Sequence, residues 1–191
     1  VKGLTVGTYE VACAQVEGNV DNSPAKVTVE HGLPKRLKTT LGTPSIVAGE
    51  STAVTCLAED NYANIVPDLP MTVALPIELK MLGFDVTGTT SGNYAVTCVP
   101  AGLDWSAFIL EKAVLEIVPA EPVSLDMDVM PPKPFFGTYE KVTLVPVAYD
   151  IYGNLVLDPE LVPVWIDPDQ NFIEKEPLVF AFKEEGYYTL S

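Results

Sequence analysis

The sequence lacks most of the residue patterns that catalysis and nucleic-acid binding require. It has one histidine, His31, and no Cys-x-x-Cys, Gly-x-Ser-x-Gly, His-Glu-x-x-His or phosphate-cradling glycine loop. Its 11 lysines and arginines stand against 26 aspartates and glutamates, a formal net charge of -15. Nucleic-acid binding needs a clustered basic face, and the densest cluster here is Lys35, Arg36 and Lys38. We therefore expect a protein that is not an enzyme and does not bind nucleic acid.

Long apolar runs are missing as well. None approaches the roughly 20 residues that a membrane-spanning helix needs, so we expect no membrane span in this fragment. The 191 residues are 48% hydrophobic and 19% charged, which is typical of a chain that folds around a core. The sequence starts at Val1 without a signal peptide. We expect a folded piece of a longer protein.

Internal repeats set the organisation of the chain. Residues 56–68 align with residues 146–158 at an offset of 90. The identical positions in the first copy are Ala58, Asp60, Tyr62, Asn64, Val66 and Asp68. A second segment, which begins Gly-x-Tyr, occurs three times, at residues 7–13, 92–98 and 186–191. The chain is thus built from copies of one unit.

The start of each unit is marked by the match of Pro34–Leu37 with Pro122–Leu125. Three segments follow from this match. Residues 1–33 are predicted to be the C-terminal strands of a truncated repeat, 34–121 a complete repeat, and 122–191 a repeat that lacks its final strand.

The apolar residues within a unit alternate with period two, which indicates half-buried strands. In residues 92–98, for example, Tyr94, Val96 and Cys98 share one face. Similar alternation in residues 161–166 predicts a strand that places Trp165 in the core. The 17 prolines and 13 glycines interrupt the chain too often for long helices. The predicted fold is an all-β sandwich.

The three cysteines bear on both topology and compartment. Cys56 and Cys98 lie 42 residues apart on an early and a late strand, a spacing that suits the bridge between the two sheets of an immunoglobulin-like sandwich. Cys13 aligns with Cys98, and its partner is expected upstream of Val1. A disulfide indicates a secreted, periplasmic or cell-surface protein. The alternative is three buried free thiols in a cytosolic protein; zinc is disfavoured because Cys-x-x-Cys is absent.

At residues 150–154 an apolar strand runs into an Asp-x-x-Gly-Asn turn, and residues 92–96 form a Gly-x-Tyr-x-Val motif. In these motifs the chain resembles tandem bacterial immunoglobulin-like repeats of the invasin and intimin group. The first copy of the turn, residues 60–64, carries Ala63 in place of the glycine, so we expect that turn to be distorted. Gly-x-Tyr-x-Val is also similar to filamin-type domains, but filamin is cytosolic and lacks the bridge.

The resemblance implies a structural or adhesive role, because such repeats commonly serve as stalks that present a distal binding domain. The expected partners are neighbouring immunoglobulin-like domains of the same chain and a protein or glycan receptor. Two alternatives remain: an adhesin module that itself binds a glycan or protein, and a subunit of an extracellular appendage or virion that assembles through these domains by strand exchange.

Two groups of side chains are candidate sites. The aligned polar residues of the turns supply oxygen atoms that suit calcium, although Asp and Asn also cap tight turns through backbone hydrogen bonds, and we favour that interpretation. They are Asp60, Asn64, Asp68, Asp150, Asn154 and Asp158. Trp105, in the loop between the last two strands of the complete unit, is the candidate surface contact for a ligand. No other cofactor is expected.

Overall fold

The fold is described from a computed structural model of the chain. The structure describes residues 3–14, 16–18, 23–157, 172–176 and 178–184. Contacts divide the chain into two compact units, Val1–Ile46 with Glu50–Ile117, and Val47–Gly49 with Val118–Ser191. The described residues contain strands, one short 3-10 helix and no α-helix, so the all-β prediction is confirmed. The division into three repeat segments stays a prediction.

Residues 36–118 form a sandwich of two sheets. Its strands are β3 (Arg36–Leu41), β4 (Ser45–Val47), β5 (Ser51–Glu59), β6 (Met71–Ala74), β7 (Leu79–Leu82), β8 (Asp85–Gly88), β9 (Gly92–Pro100), β10 (Ile109–Glu111) and β11 (Ala113–Val118). One sheet has the order β10-β3-β5-β8-β7 and the other has the order β4-β11-β9-β6. Apart from β10, which pairs parallel with β3, and the short strand β4 beside β11, this arrangement is that of an immunoglobulin constant-type domain, with strands A, B, E and D in one sheet and G, F and C in the other.

The core of this sandwich follows from the two-residue alternation of its strands. Alternate side chains point to opposite faces of a sheet, so each strand contributes one apolar face to the space between the sheets. The fully buried side chains on the two facing sheets include Leu37, Ala58, Val86, Val96, Cys98 and Leu115. Gly88 allows the sheets a close approach: a Cβ atom there would lie 2.6 Å from Cδ1 of Ile117.

Before the sandwich, the chain forms an antiparallel hairpin of β1 (Gly7–Val11) and β2 (Ala25–Val29). Tyr9 pairs with Val27, and the two side chains are 43% and 46% exposed. The corresponding pair in the sandwich is Tyr94 with Leu115, and Leu115 is fully buried. The hairpin therefore repeats the β9–β11 pairing, but its apolar face is not covered within the described residues.

The second unit contains one described sheet. Its strands are β12 (Pro122–Met130), β13 (Lys141–Asp150), β14 (Leu155–Val156), β15 (Phe172–Glu176) and β16 (Val179–Phe182). They are ordered β12-β13-β16-β15, and β14 pairs with β13. Val142, Leu144 and Phe180 form its buried cluster. The predicted strand at 161–166 with Trp165, the position of Asp158, and the third Gly-x-Tyr copy lie outside the described residues.

Candidate functional sites

The disulfide joins the two sheets of the sandwich. Cys56 on β5 is bonded to Cys98 on β9, with 5.7 Å between their Cα atoms, so the predicted bridge is present between strands B and F. The backbone N–H of Cys98 also donates a 2.8 Å hydrogen bond to the buried hydroxyl of Thr39 on β3. A covalent bond and a polar contact thus connect the sheets near the same residue. Cys13 is a free, exposed thiol.

The Gly-x-Tyr motif forms a variant of the tyrosine corner of immunoglobulin-like domains, with Tyr94 four residues before the bridge cysteine Cys98 instead of two. The hydroxyl of Tyr94 donates to the carbonyl of Thr90 at 2.9 Å, and Tyr9 makes the same bond to Thr5 at 2.9 Å. Gly92 has a φ of 151° and lies under the ring, because a Cβ atom there would be 3.3 Å from Oη of Tyr94. The motif occurs three times in the sequence, but the sequence alone did not show that its glycine makes room for the tyrosine ring.

The first aligned turn is organised by the carboxylate of Asp60. Its Oδ1 accepts the backbone N–H groups of Tyr62 at 2.8 Å and Asn64 at 3.0 Å. Its Oδ2 accepts the side-chain amide of Asn64 at 2.9 Å and the backbone N–H of Gly32 at 2.8 Å. Asp60 is buried. Both oxygens are therefore bonded to protein donors.

The second aligned turn has the same arrangement. Oδ1 of Asp150 accepts the backbone N–H groups of Tyr152 and Asn154, both at 2.8 Å. Its Oδ2 accepts the Asn154 side-chain amide at 2.7 Å and the Ala120 backbone N–H at 2.9 Å. Asp150 and Asn154 are both buried. The similarity of the two sequences thus extends to the hydrogen bonds.

The expectation that Ala63 distorts its turn was wrong. Ala63 takes the left-handed backbone conformation, with φ 61°, where Gly153 has φ 80°. The bond from Ala63 N–H to Asp60 O is 3.2 Å long, against 3.1 Å for the equivalent bond of Gly153 to Asp150. The Asp side chain bonds so many donors in this turn that it imposes the conformation on an alanine.

These hydrogen bonds also lower the pKa values of Asp60 and Asp150 and so keep both side chains ionised. For Asp60, the Asn64 side chain and then the Gly32 N–H hold its pKa well below the usual range. For Asp150, burial acts to raise the pKa, but hydrogen bonds from Asn154 and Ala120 outweigh it and lower the pKa to about 2. Both carboxylates are ionised at neutral pH and accept charge-assisted bonds.

The calcium hypothesis has no support from the carboxylate oxygens of Asp60 and Asp150, because these already accept hydrogen bonds from protein groups. Asp68 is exposed, with φ 60°, eight residues beyond Asp60 in the sequence. In the described part of the chain, no group of three or more His, Cys, Asp or Glu side chains is placed to hold a metal ion. Calcium binding stays a prediction; a titration followed by melting temperature tests it, and no shift at millimolar calcium would remove it.

Trp105 lies on an exposed turn. It begins the 3-10 helix Trp105–Ala107, and its side chain is 48% exposed. Asp104 caps this helix by accepting the backbone N–H of Ser106 at 2.9 Å and its hydroxyl at 2.8 Å, bonds that lower the pKa of Asp104. The exposed apolar residues Leu103 and Ile109 lie on either side of it in the chain. The turn therefore leaves about half of an aromatic side chain open to solvent.

Two members of the small basic cluster, Arg36 and Lys35, are bonded to neighbouring groups. Nε of Arg36 lies 3.0 Å from Glu111 and Nη1 lies 3.8 Å from Glu59. Lys35 donates to the carbonyl of Ala107 at 2.9 Å. His31 is exposed, with Nδ1 3.0 Å from the carbonyl of Gly32.

The strand order, the bridge between strands B and F and the tyrosine corner define a protein built from immunoglobulin-like β-sandwiches. Among solved structures the chain is similar to FdeC, an Escherichia coli adhesin, with a TM-score of 0.51 and 20% sequence identity over 93% of this chain and 66% of that one. At this identity the likeness establishes the fold, and it agrees with the immunoglobulin-like fold that the resemblance to invasin and intimin repeats implied.

Two further structures match with lower TM-scores. They are invasin, a bacterial integrin-binding protein (TM-score 0.35, 11% identity, 95% of this chain and 40% of that one), and domains 1-6 of the surface layer protein SbsC (0.28, 15%, 81% and 24%). No protein-family model and no curated protein matches the chain. Among the described residues, no helix has the length and apolarity needed to cross a bilayer.

Proposed function

We propose that the chain is a structural and adhesive stalk segment of a secreted or cell-surface protein built from tandem immunoglobulin-like repeats, without catalytic activity. The observation that carries this proposal is the fold, which the chain shares with the adhesin FdeC over 93% of its length. The chain spans 66% of the FdeC chain, so the proposal concerns a segment of an adhesive protein.

The disulfide and the surface charge support the extracellular setting. The Cys56–Cys98 bridge persists in oxidising compartments, which include the cell surface and the periplasm. The net charge of -15 keeps an exposed chain soluble and separate from its copies. A stalk segment needs both properties, because it must stay folded and must not aggregate outside the cell.

A module-replacement experiment tests the stalk role in the full-length protein on its own cells. Residues 34–121 are replaced by an unrelated immunoglobulin-like repeat of equal length, and cell adhesion is measured beside a deletion of the same residues. A stalk segment acts through its length and stiffness, so the replacement keeps adhesion and the deletion reduces it. Loss of adhesion in both variants would show that this repeat itself binds the receptor.

The second candidate function is a binding module for a glycan or a protein, favoured by the exposed ring of Trp105 on its capped turn. Aromatic side chains with this exposure stack on sugar rings or anchor protein partners. The purified chain is screened against glycans and host surface proteins, with Trp105→Ala as the test variant. Phe84→Ala removes an aromatic side chain that is 86% exposed on the β7–β8 turn and serves as the matched control. Binding that Trp105→Ala abolishes and Phe84→Ala keeps would establish the binding module.

A further inference from the structure

The Asp60–Asn64 turn makes hydrogen bonds to backbone groups far from it in the sequence. Oδ1 of Asn64 accepts the N–H of Val6 at 3.0 Å, and Nδ2 of Asn64 donates to the carbonyl of Leu4 at 2.8 Å. One side-chain amide therefore pairs with a donor and an acceptor of the segment that leads into β1. This is the pairing that a strand residue offers its neighbour in a sheet.

A second contact lies on the other side of the β1–β2 hairpin. Oδ2 of Asp60 accepts the N–H of Gly32, which follows β2, at 2.8 Å. The turn thus contacts the chain both before the hairpin, at Leu4 and Val6, and after it, at Gly32. Because the carboxylate is buried and charged, the bond to Gly32 is stronger than one between neutral groups.

All three contacts involve main-chain atoms of the preceding segment. The equivalent bond in the second unit runs from the N–H of Ala120 to Oδ2 of Asp150, at 2.9 Å. Gly32 and Ala120 differ in their side chains but occupy equivalent places before Asp60 and Asp150. Recognition of this kind therefore does not depend on the side chains of the bound segment.

We propose that the Asp60–Asn64 turn is a docking site for the backbone of the segment that precedes the sandwich. The turn receives the amide of Gly32, which follows β2, and the two backbone groups of Leu4 and Val6, which precede β1. These hydrogen bonds fix the β1–β2 hairpin on the sandwich and accept preceding segments of different sequence. This inference concerns how the hairpin joins the sandwich and stands whether or not the chain binds a receptor.

Amide hydrogen exchange on the full chain, resolved by NMR, tests the proposal. In Asn64→Ala the Val6 amide loses its acceptor, and its exchange is expected to accelerate roughly tenfold, the effect of losing one hydrogen bond. The matched control is Asn154→Ala, which removes the equivalent side chain from the second turn and leaves Val6 exchange unchanged. Unchanged exchange of Val6 in Asn64→Ala would overturn the proposal.

Asn64→Ala could also accelerate exchange of the core amides of Val96 and Leu115, which would report a loss of stability of the whole unit. In that case a second pair of variants decides the test. Gly32→Pro removes the N–H that Asp60 accepts, whereas Gly32→Ala keeps it, and a Cβ atom there meets Asp60 at an ordinary 3.4 Å. Nitrogen-15 relaxation then reports the motion of residues 7–11 and 25–29. We expect added motion in Gly32→Pro and none in Gly32→Ala. The same motion in both variants would refute the docking role of this bond.

Discussion

At the scale of single residues, the two Asp-x-x-x-Asn turns show what a left-handed backbone conformation costs an alanine compared with a glycine. The surrounding hydrogen bonds are the same in both turns, so they do not account for the difference. Ala63 and Gly153 have left-handed φ angles of 61° and 80° within equivalent hydrogen bonds. An L-residue costs roughly 1–2 kcal/mol in this conformation, and glycine avoids most of that cost. Nothing lies within 4 Å of a Cβ atom placed on Gly153, so the cost of an alanine there arises in the backbone alone.

Reciprocal substitutions are expected to have opposite effects. Ala63→Gly raises the free energy of unfolding of its unit by up to about 1 kcal/mol, since relief of the left-handed alanine exceeds the entropy lost by glycine. Gly153→Ala lowers that of the second unit by about 1 kcal/mol. Urea unfolding of each variant measures both. Ala95→Gly, at an exposed position of β9, is the control and destabilises; a loss of stability in Ala63→Gly as well would contradict this account.

The sequence identified the turn residues but not all of their partners. Asp60 and Asn64 were found by alignment with Asp150 and Asn154, and the preference of Asp and Asn for turns explained them. The bonds to Val6, Leu4 and Gly32 join residues 58, 60 and 28 positions apart. No local pattern carries that information, because these partners contribute backbone groups that every residue possesses.

At the scale of strands, the disulfide holds β5 of one sheet to β9 of the other. In the chain-entropy model, a bridge that closes a loop with a sequence separation of 42 stabilises the folded state by about 4 kcal/mol. The buried bond from Cys98 N–H to Thr39 acts at the same strand. The bridge and the polar contact together resist separation of the two sheets.

Removal of the bridge is expected to destabilise the first unit strongly. The double variant Cys56→Ala/Cys98→Ala lowers its free energy of unfolding by up to about 4 kcal/mol, measured by denaturant titration. Cys13→Ser removes the exposed free thiol and serves as the control, with no change in stability. Thiol labelling of the native chain should modify Cys13 alone; one equivalent of label on Cys56 or Cys98 would show that the bridge does not form.

The strand pattern was read correctly from the sequence where the alternation had a buried face. Residues 92–98, where the alternation predicted a strand, lie within β9, and the burial of β5 alternates in a similar way. β12 was not assigned, although its apolar residues alternate with polar ones from Val123 to Val129, and its side chains are exposed along nearly all of its length. The hairpin β1–β2 shows the same combination, since its apolar residues alternate like those of β9 although Tyr9 and Val27 are half exposed.

At the scale of the whole molecule, the chain is acidic, and the buried carboxylates of Asp60 and Asp150 make its stability depend on pH. The pKa of Asp150 is lowered from 3.8 to about 2 in the folded state. A group whose pKa is lowered by folding stabilises the folded state above its unfolded pKa, and this contribution is lost as the pH falls toward the folded pKa. The window for the second unit is therefore pH 4 to 2.

The melting temperature of the second unit is expected to fall as the pH is lowered from about 4 to about 2. Asp150→Asn weakens this dependence and melts at a lower temperature at neutral pH, because the amide accepts fewer hydrogen bonds than the carboxylate. Asp126→Asn, at an exposed position of β12, is the control and keeps the wild-type pH profile. Calorimetry across this pH range measures all three, and identical profiles for Asp150→Asn and wild type would contradict the assignment.

The sequence by itself determined the all-β architecture, the repeated turn and the Gly-x-Tyr strand, and it favoured the pairing of Cys56 with Cys98. These features follow from side-chain period and from the comparison of one repeat with another, both of which can be read from the linear sequence. Only the tertiary structure decided that the bridge forms, that Ala63 adopts the glycine conformation and that the turn bonds the backbone on both sides of the preceding hairpin. Those outcomes depend on hydrogen bonds between groups distant in the sequence, whose combined strength exceeds the local preference of the residue.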